Sequence, residues 1–329
     1  MPDPFQYTMA LLAAFAVSFI AVAGAWRVFR LRTHRLVNVI EVFGITAGLI
    51  AGYRVLQFEL VWPPANAINR FLTIVLPAAV IVELISGLGP IATNSEARRL
   101  KDTGLLSFFV LILRVGLFAS IGRILLHNSV YLGVSPSIAG TWPGWQMFML
   151  LTASAVLLTF TWVVLASLAK RDAPSSVVAS LSLSIMTAGI SIMLAGYIKG
   201  GVAAFPIAAS VLGVVTISQF VRPDEYFFYR QRLHGVVGPG IVALFSLLWI
   251  GYFFGQLPAI DSVVIFLAPM LCWVSEFSFF RGLNGRLKFS LRLTVVTIPL
   301  LTQLLIAKLA FDYKLAPLLA NSGKSLFGF

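Results

Sequence analysis

The sequence predicts an all-α, polytopic integral membrane bundle of about ten transmembrane helices, with both termini on the non-cytoplasmic side. Three observations carry that expectation. Of 329 residues, 59% are hydrophobic and 11% charged, against about 45–50% and about 25% in a soluble domain. The apolar residues fall in long runs parted by short polar joints, which favours helices over the alternating ten-residue segments of a barrel. The basic residues sit in alternate joints, the mark of membrane orientation.

A span needs about 20 predominantly apolar residues. Ten segments qualify: 6–26, 37–58, 71–91, 104–126, 145–168, 177–198, 202–221, 237–254, 262–280 and 291–310. They form a single transmembrane domain over 1–329. The first lacks a basic leader and is followed by Arg27, Arg30, Arg32 and Arg35. That order reads as a span entering from outside rather than a cleaved signal. With joint 27–36 in the cytoplasm, the inner joints hold Arg27, Arg30, Arg32, Arg35, Arg98, Arg99, Lys101, Lys170, Arg171, Arg222, Arg230, Arg232, Arg281, Arg286, Lys288 and Arg292, sixteen in all. Five, Arg70, Lys199, Lys308, Lys314 and Lys324, fall on the other side.

Several joints have character. Val61-Trp62-Pro63-Pro64 and the stretch from His127 to Gly144 suit an aromatic headgroup belt. Lys199-Gly200-Gly201 is a tight hairpin, and Arg222 to His234 reads as a short helix lying in the interface. The tail holds Ser322-Gly323-Lys324-Ser325, the end of a phosphate-loop pattern whose first glycine is replaced by Leu318.

Intramembrane charge points to function, because each such group needs a partner or water. Arg54 and Arg123 lie near outer ends and can snorkel. Glu41 is about one turn in from the cytoplasmic end. Glu83 and Arg114 reckon to about 18 and 15 Å from their respective faces, near the midplane. Their spans are consecutive, so the sequence predicts a buried Glu83–Arg114 ion pair, serving as a structural staple or as a charge-coupled site. Glu276, beside Ser275 and Ser278, pairs with an arginine from another span, lines a cytoplasmic vestibule, or carries a proton.

Two stripes stand out. Gly44, Gly48 and Gly52 form a small-residue contact face on span two, which also turns Glu41 toward protein. Ser176, Ser180, Ser184, Thr187 and Ser191 form a hydroxyl stripe on span six, for packing or for a polar path. Pro206 falls in a first turn, whereas Pro77, Pro269 and Pro299 should kink or break their helices.

No metal or cofactor is expected. His34, His127 and His234 occupy separate joints, no metal or catalytic motif occurs, and Cys272 lies alone in an apolar run. The basic charge is spent on the joints and not on nucleic acid. Expected partners are the lipid bilayer, with anionic headgroups on the cytoplasmic side, and a small-solute substrate; a homo-oligomer stays open. The first reading of function is a secondary transporter in the plasma (inner) membrane, with Glu83, Arg114, Glu276, Glu41, Ser180, Ser184 and Thr187 along the path. A membrane scaffold with no activity is the second. A lipid-modifying enzyme using Glu276 or Glu41 is the third.

Overall fold

The computed structural model describes residues 4–28, 36–88, 99–132, 144–171, 174–220, 233–277, 280 and 284–325. Those residues are overwhelmingly helical and include no strand. Ten helices are long and apolar enough to cross a membrane, the architecture of a multi-pass integral membrane protein. The joint 222–232 and most of the loop before Gly144 lie outside the described residues.

Helices α1 (Pro4–Val28) and α2 (Leu36–Val55) form the first hairpin. Helix α3 comprises Ala67–Arg70, a π turn at Phe71–Val75 and Leu76–Leu88. Asn66 caps it, its side chain accepting the Asn69 N–H at 2.8 Å. The wide turn ends just before Pro77, which lacks an N–H and would crowd a regular turn. Then come α4 (Arg99–Leu126), α5 (Gly144–Arg171) and α6 (Pro174–Leu194). Helix α7 has two pieces, Ile198–Val202 and Ala204–Phe220. Helix α8 spans His234–Phe254. Helix α9 runs as Ala259–Leu267 and tightens into a 3₁₀ segment, Ala268–Glu276, where Pro269 enters. Helix α10 spans Gly285–Ser325.

Helix α10 runs on through Pro299 without a break, and Ser322 to Ser325 extend it. At 41 residues α10 is about 62 Å long, roughly twice the hydrocarbon thickness of a bilayer.

Contacts fix the directions. A Cβ on Gly44, Gly48 or Gly52 would meet Val22, Ser18 and Ala14 in turn, so α1 and α2 are antiparallel. The same three glycines meet Val214, Ser210 and Pro206, so α2 and α7 are antiparallel. Gly240 meets Leu181 and Gly251 meets Ile192, so α6 and α8 run parallel. Thr161 meets Met270 and Trp273 donates to the Val164 carbonyl, so α5 and α9 run parallel. Odd and even helices therefore run in opposite directions, and the bundle has an N-terminal end, where α1 starts, and a far end, where it finishes. Helices α6, α7 and α8 are the interior staves, while α1, α5 and α10 expose most of their surface.

The glycine stripe makes the tightest joint. A Cβ at Gly48 would sit 2.6 Å from both the Ala14 carbonyl oxygen and Ser210 Oγ. The absent side chains let Ser18 Oγ donate to the Ser210 carbonyl at 2.8 Å across α1 and α7. In lipid no hydrophobic force drives helices together, so close backbone approach and such bonds do that work. Gly48→Ala should lower stability by about 1–3 kcal/mol, read as a fall in the melting temperature of detergent-purified protein. Gly24→Ala, where a Cβ meets nothing within 4 Å, should leave it unchanged.

Candidate functional site

The most concentrated polar chemistry lies between α6, α9 and α10. Its centre is Arg292, seven residues into α10 and only 1% exposed. Its Nε donates to Ser275 Oγ at 2.5 Å, one terminal nitrogen to Ser176 Oγ at 3.0 Å and the other to Glu276 Oε1 at 2.8 Å. Three partners from α6 and α9 thus hold one guanidinium. Ser275 and Glu276, the last two residues of the 3₁₀ segment, both reach Arg292, and Ser275 also donates to the Cys272 carbonyl at 3.2 Å. Glu276 keeps 17% of its side chain exposed, against 0% for Arg292, so the acid is the open member of the pair.

The hydroxyl stripe of α6 continues from this cluster. Ser176, Ser180, Ser184, Thr187 and Ser191 are all buried. Ser180 donates to the Val177 carbonyl at 2.7 Å and is in hydrogen-bond contact with Cys272. Ser184 Oγ and Ser191 Oγ have no hydrogen-bond partner. Gln303 Oε1 is buried and equally unpartnered. Helices α6 and α10 both start at the far end, with Ser176 against Arg292. Three helical turns further along each helix stand Thr187 and Gln303, again on the same faces. The seam between α6 and α10 therefore opens on a closed charge cluster and carries three unsatisfied polar atoms beyond it. Buried polar groups are ordinarily paired, and an unpaired one calls for water or a ligand.

Glu83 and Arg114 form a second buried ion pair. Arg114 donates to Glu83 Oε1 from Nε at 3.0 Å and from a terminal nitrogen at 2.6 Å. The guanidinium lies 4.2 Å from the centre of the Trp162 ring, a cation–π contact that closes its face. On the other side Gly238 of α8 makes room, since a Cβ there would collide with the Glu83 carboxylate. Glu83 stands in the last two turns of α3, against the second turn of α8, and Arg114 lies midway along α4.

Glu41 takes a third role. Both its carboxylate oxygens accept the Leu233 N–H, at 2.9 and 2.8 Å. Leu233 has φ +66° and opens α8, so the carboxylate lies at the positive end of that helix. All three acids thus lie toward the far end. Arg54 and Arg123 are exposed toward the N-terminal end.

Two basic residues reckoned to joints are inside the fold. Arg292 is one. Arg70 is the other, buried, donating to the Leu125 and Ala65 carbonyls at 3.3 Å each. Sequence reasoning missed Arg292, Trp162 and Gly238 as partners. Arg292 had a signal, since one helical turn separates it from Lys288 and places it inside the apolar run. The other two had none short of the packing. No metal-binding group of His, Cys, Asp and Glu occurs among the described residues.

No protein-family model, curated protein or solved structure matches the chain.

The two ion pairs should respond as coupled units. Removing one partner of a buried pair leaves a bare charge, at a cost of about 3–5 kcal/mol. Glu83→Gln and Arg114→Gln should each lower the melting temperature strongly, and the double variant should lose less than their sum. Thermal unfolding of the three variants in one detergent checks it.

Proposed function

We propose that this protein is a secondary transporter or permease for a small solute, with its path along the α6–α9–α10 seam. The observation that carries the reading is the row of unpartnered Ser184, Ser191 and Gln303 beyond the Arg292 cluster. Polar atoms without partners are expensive inside a bundle bathed by lipid. A hydrated or substrate-filled path offsets that cost. The 3₁₀ segment of α9 supports the same reading, because broken helices supply binding groups in many transporters and long 3₁₀ stretches often mark hinges.

In this mechanism the Arg292–Glu276 pair closes the far end of the path. A solute bearing a hydrogen-bonding or acidic group reaches Arg292 by displacing Glu276, the more exposed partner. Ser180, Ser184, Thr187 and Ser191 then offer hydroxyls in turn toward the N-terminal end. Glu83–Arg114 and Glu41 are assigned to the frame that holds α3, α4 and α8 and not to the path. The orientation is N-out and C-out in a plasma (inner) membrane. Moving Arg292 and Arg70 out of the joints leaves the bias of basic residues toward the cytoplasmic side intact.

Cysteine accessibility tests the path without knowledge of the solute. In a Cys272→Ala background, Ser184→Cys and Ser191→Cys should react with a small membrane-impermeant methanethiosulfonate. Ser182→Cys is the control, because Ser182 is buried against α7 and donates to the Ala208 carbonyl at 2.7 Å. The expected result is labelling of the two seam positions at least about tenfold faster than the control. Equal inertness of all three contradicts a transport path and leaves the membrane scaffold as the better reading.

A further inference from the structure

A separate cavity of about 380 Å³ opens at the N-terminal end of the bundle, between α1, the turn after α2 and the start of α7. Tyr7 and Phe58 form its aromatic walls, and Leu56 and Val202 are buried at its base. Glu59 and Lys199 both line it and are both exposed. The Lys199 ammonium stands 5.4 Å from the centre of the Phe58 ring. Among the described residues neither Glu59 nor Lys199 makes an ion pair, with each other or with any third group.

Glu59 and Lys199 thus line one small cavity with opposite charges that do not pair with each other. A purely anionic ligand would satisfy Lys199 and be repelled by Glu59. A purely cationic one would meet the reverse. A molecule carrying both charges on a short apolar link satisfies both ends and covers the apolar base. The volume lies at the low end of small-molecule sites, which fits a compact molecule or a headgroup and excludes a whole lipid. Immediately after Glu59, the side chains of Leu60, Val61 and Trp62 are 56%, 47% and 75% exposed. They form an apolar shoulder beside the charged cavity.

We propose that this cavity is a binding site for a small zwitterion, its acidic group on Lys199 and its ammonium on Glu59. The site stands at the opposite end of the bundle from Arg292 and does not depend on the seam. The same chemistry is presented by a phosphoethanolamine lipid headgroup and by a free zwitterionic solute.

Calorimetric titration of the purified full-length protein in a non-ionic detergent tests it. The probes are phosphoethanolamine, ethanolamine, inorganic phosphate and dihexanoyl-phosphatidylethanolamine. Phosphoethanolamine should bind roughly tenfold or more tightly than either ethanolamine or phosphate, the scale of one charge-assisted hydrogen bond. Glu59→Gln and Lys199→Gln should each weaken it by a similar factor. Both residues are exposed, so unchanged melting temperatures of the two variants show that the fold is kept. The lipid binding more tightly than the free headgroup assigns the site to a bilayer lipid. Equal binding assigns it to a soluble zwitterion, and either supports the proposal. Phosphoethanolamine binding no better than its two halves, or binding indifferent to both substitutions, overturns it.

Discussion

A charge withdrawn into the apolar interior of a helical bundle must take its partners with it, and this constraint organises the far half of the molecule. Arg292 is the extreme case. Its guanidinium is buried and held by Ser176, Ser275 and Glu276. Taking such an ion out of water costs several kcal/mol even after relaxation. The partners must therefore be in place before α10 can dock on α6 and α9. Glu83 and Arg114 repeat the solution on α3 and α4, with Trp162 and Gly238 closing the sides.

The two pairs differ in one respect that bears on function. Glu83 is 4% exposed and Arg114 7%, and the walls around them are ring and backbone. That pair is a fastening. The Arg292 pair has one open member, and the seam behind it carries the Ser184 and Ser191 hydroxyls and the Gln303 carboxamide oxygen without hydrogen-bond partners among the described residues. A protein selected for stability alone would fill such positions with leucine or alanine. Their cost is understandable if the groups are satisfied by something that enters.

Much of this frame was legible in the sequence. Ten apolar runs gave ten helices, with α10 running well past its run, because lipid leaves the backbone no other way to satisfy itself. The 80° stripes of Gly44, Gly48 and Gly52 and of the α6 hydroxyls are helical geometry alone. What could not be read was the partner of each polar group. Glu276 and Arg292 stand on consecutive helices, but their meeting depends on how α9 and α10 pack, which the hydropathy of residues 268–276 does not announce. The cavity beside Glu59 and Lys199 joins a turn to a helix start about 140 residues away, and no local pattern links them.

The central claim is that the α6–α10 seam holds water or solute where its polar atoms lack partners. Water-edited solid-state NMR of the protein in bilayers, with ¹⁵N-labelled glutamine side chains, addresses it at Gln303, whose signal is assigned by its loss in Gln303→Leu. Hydration of the seam predicts that the Gln303 side-chain amide receives magnetisation from mobile water nearly as quickly as exposed Gln57. A build-up for Gln303 as slow as that of backbone amides in the dry core of α8 would contradict it.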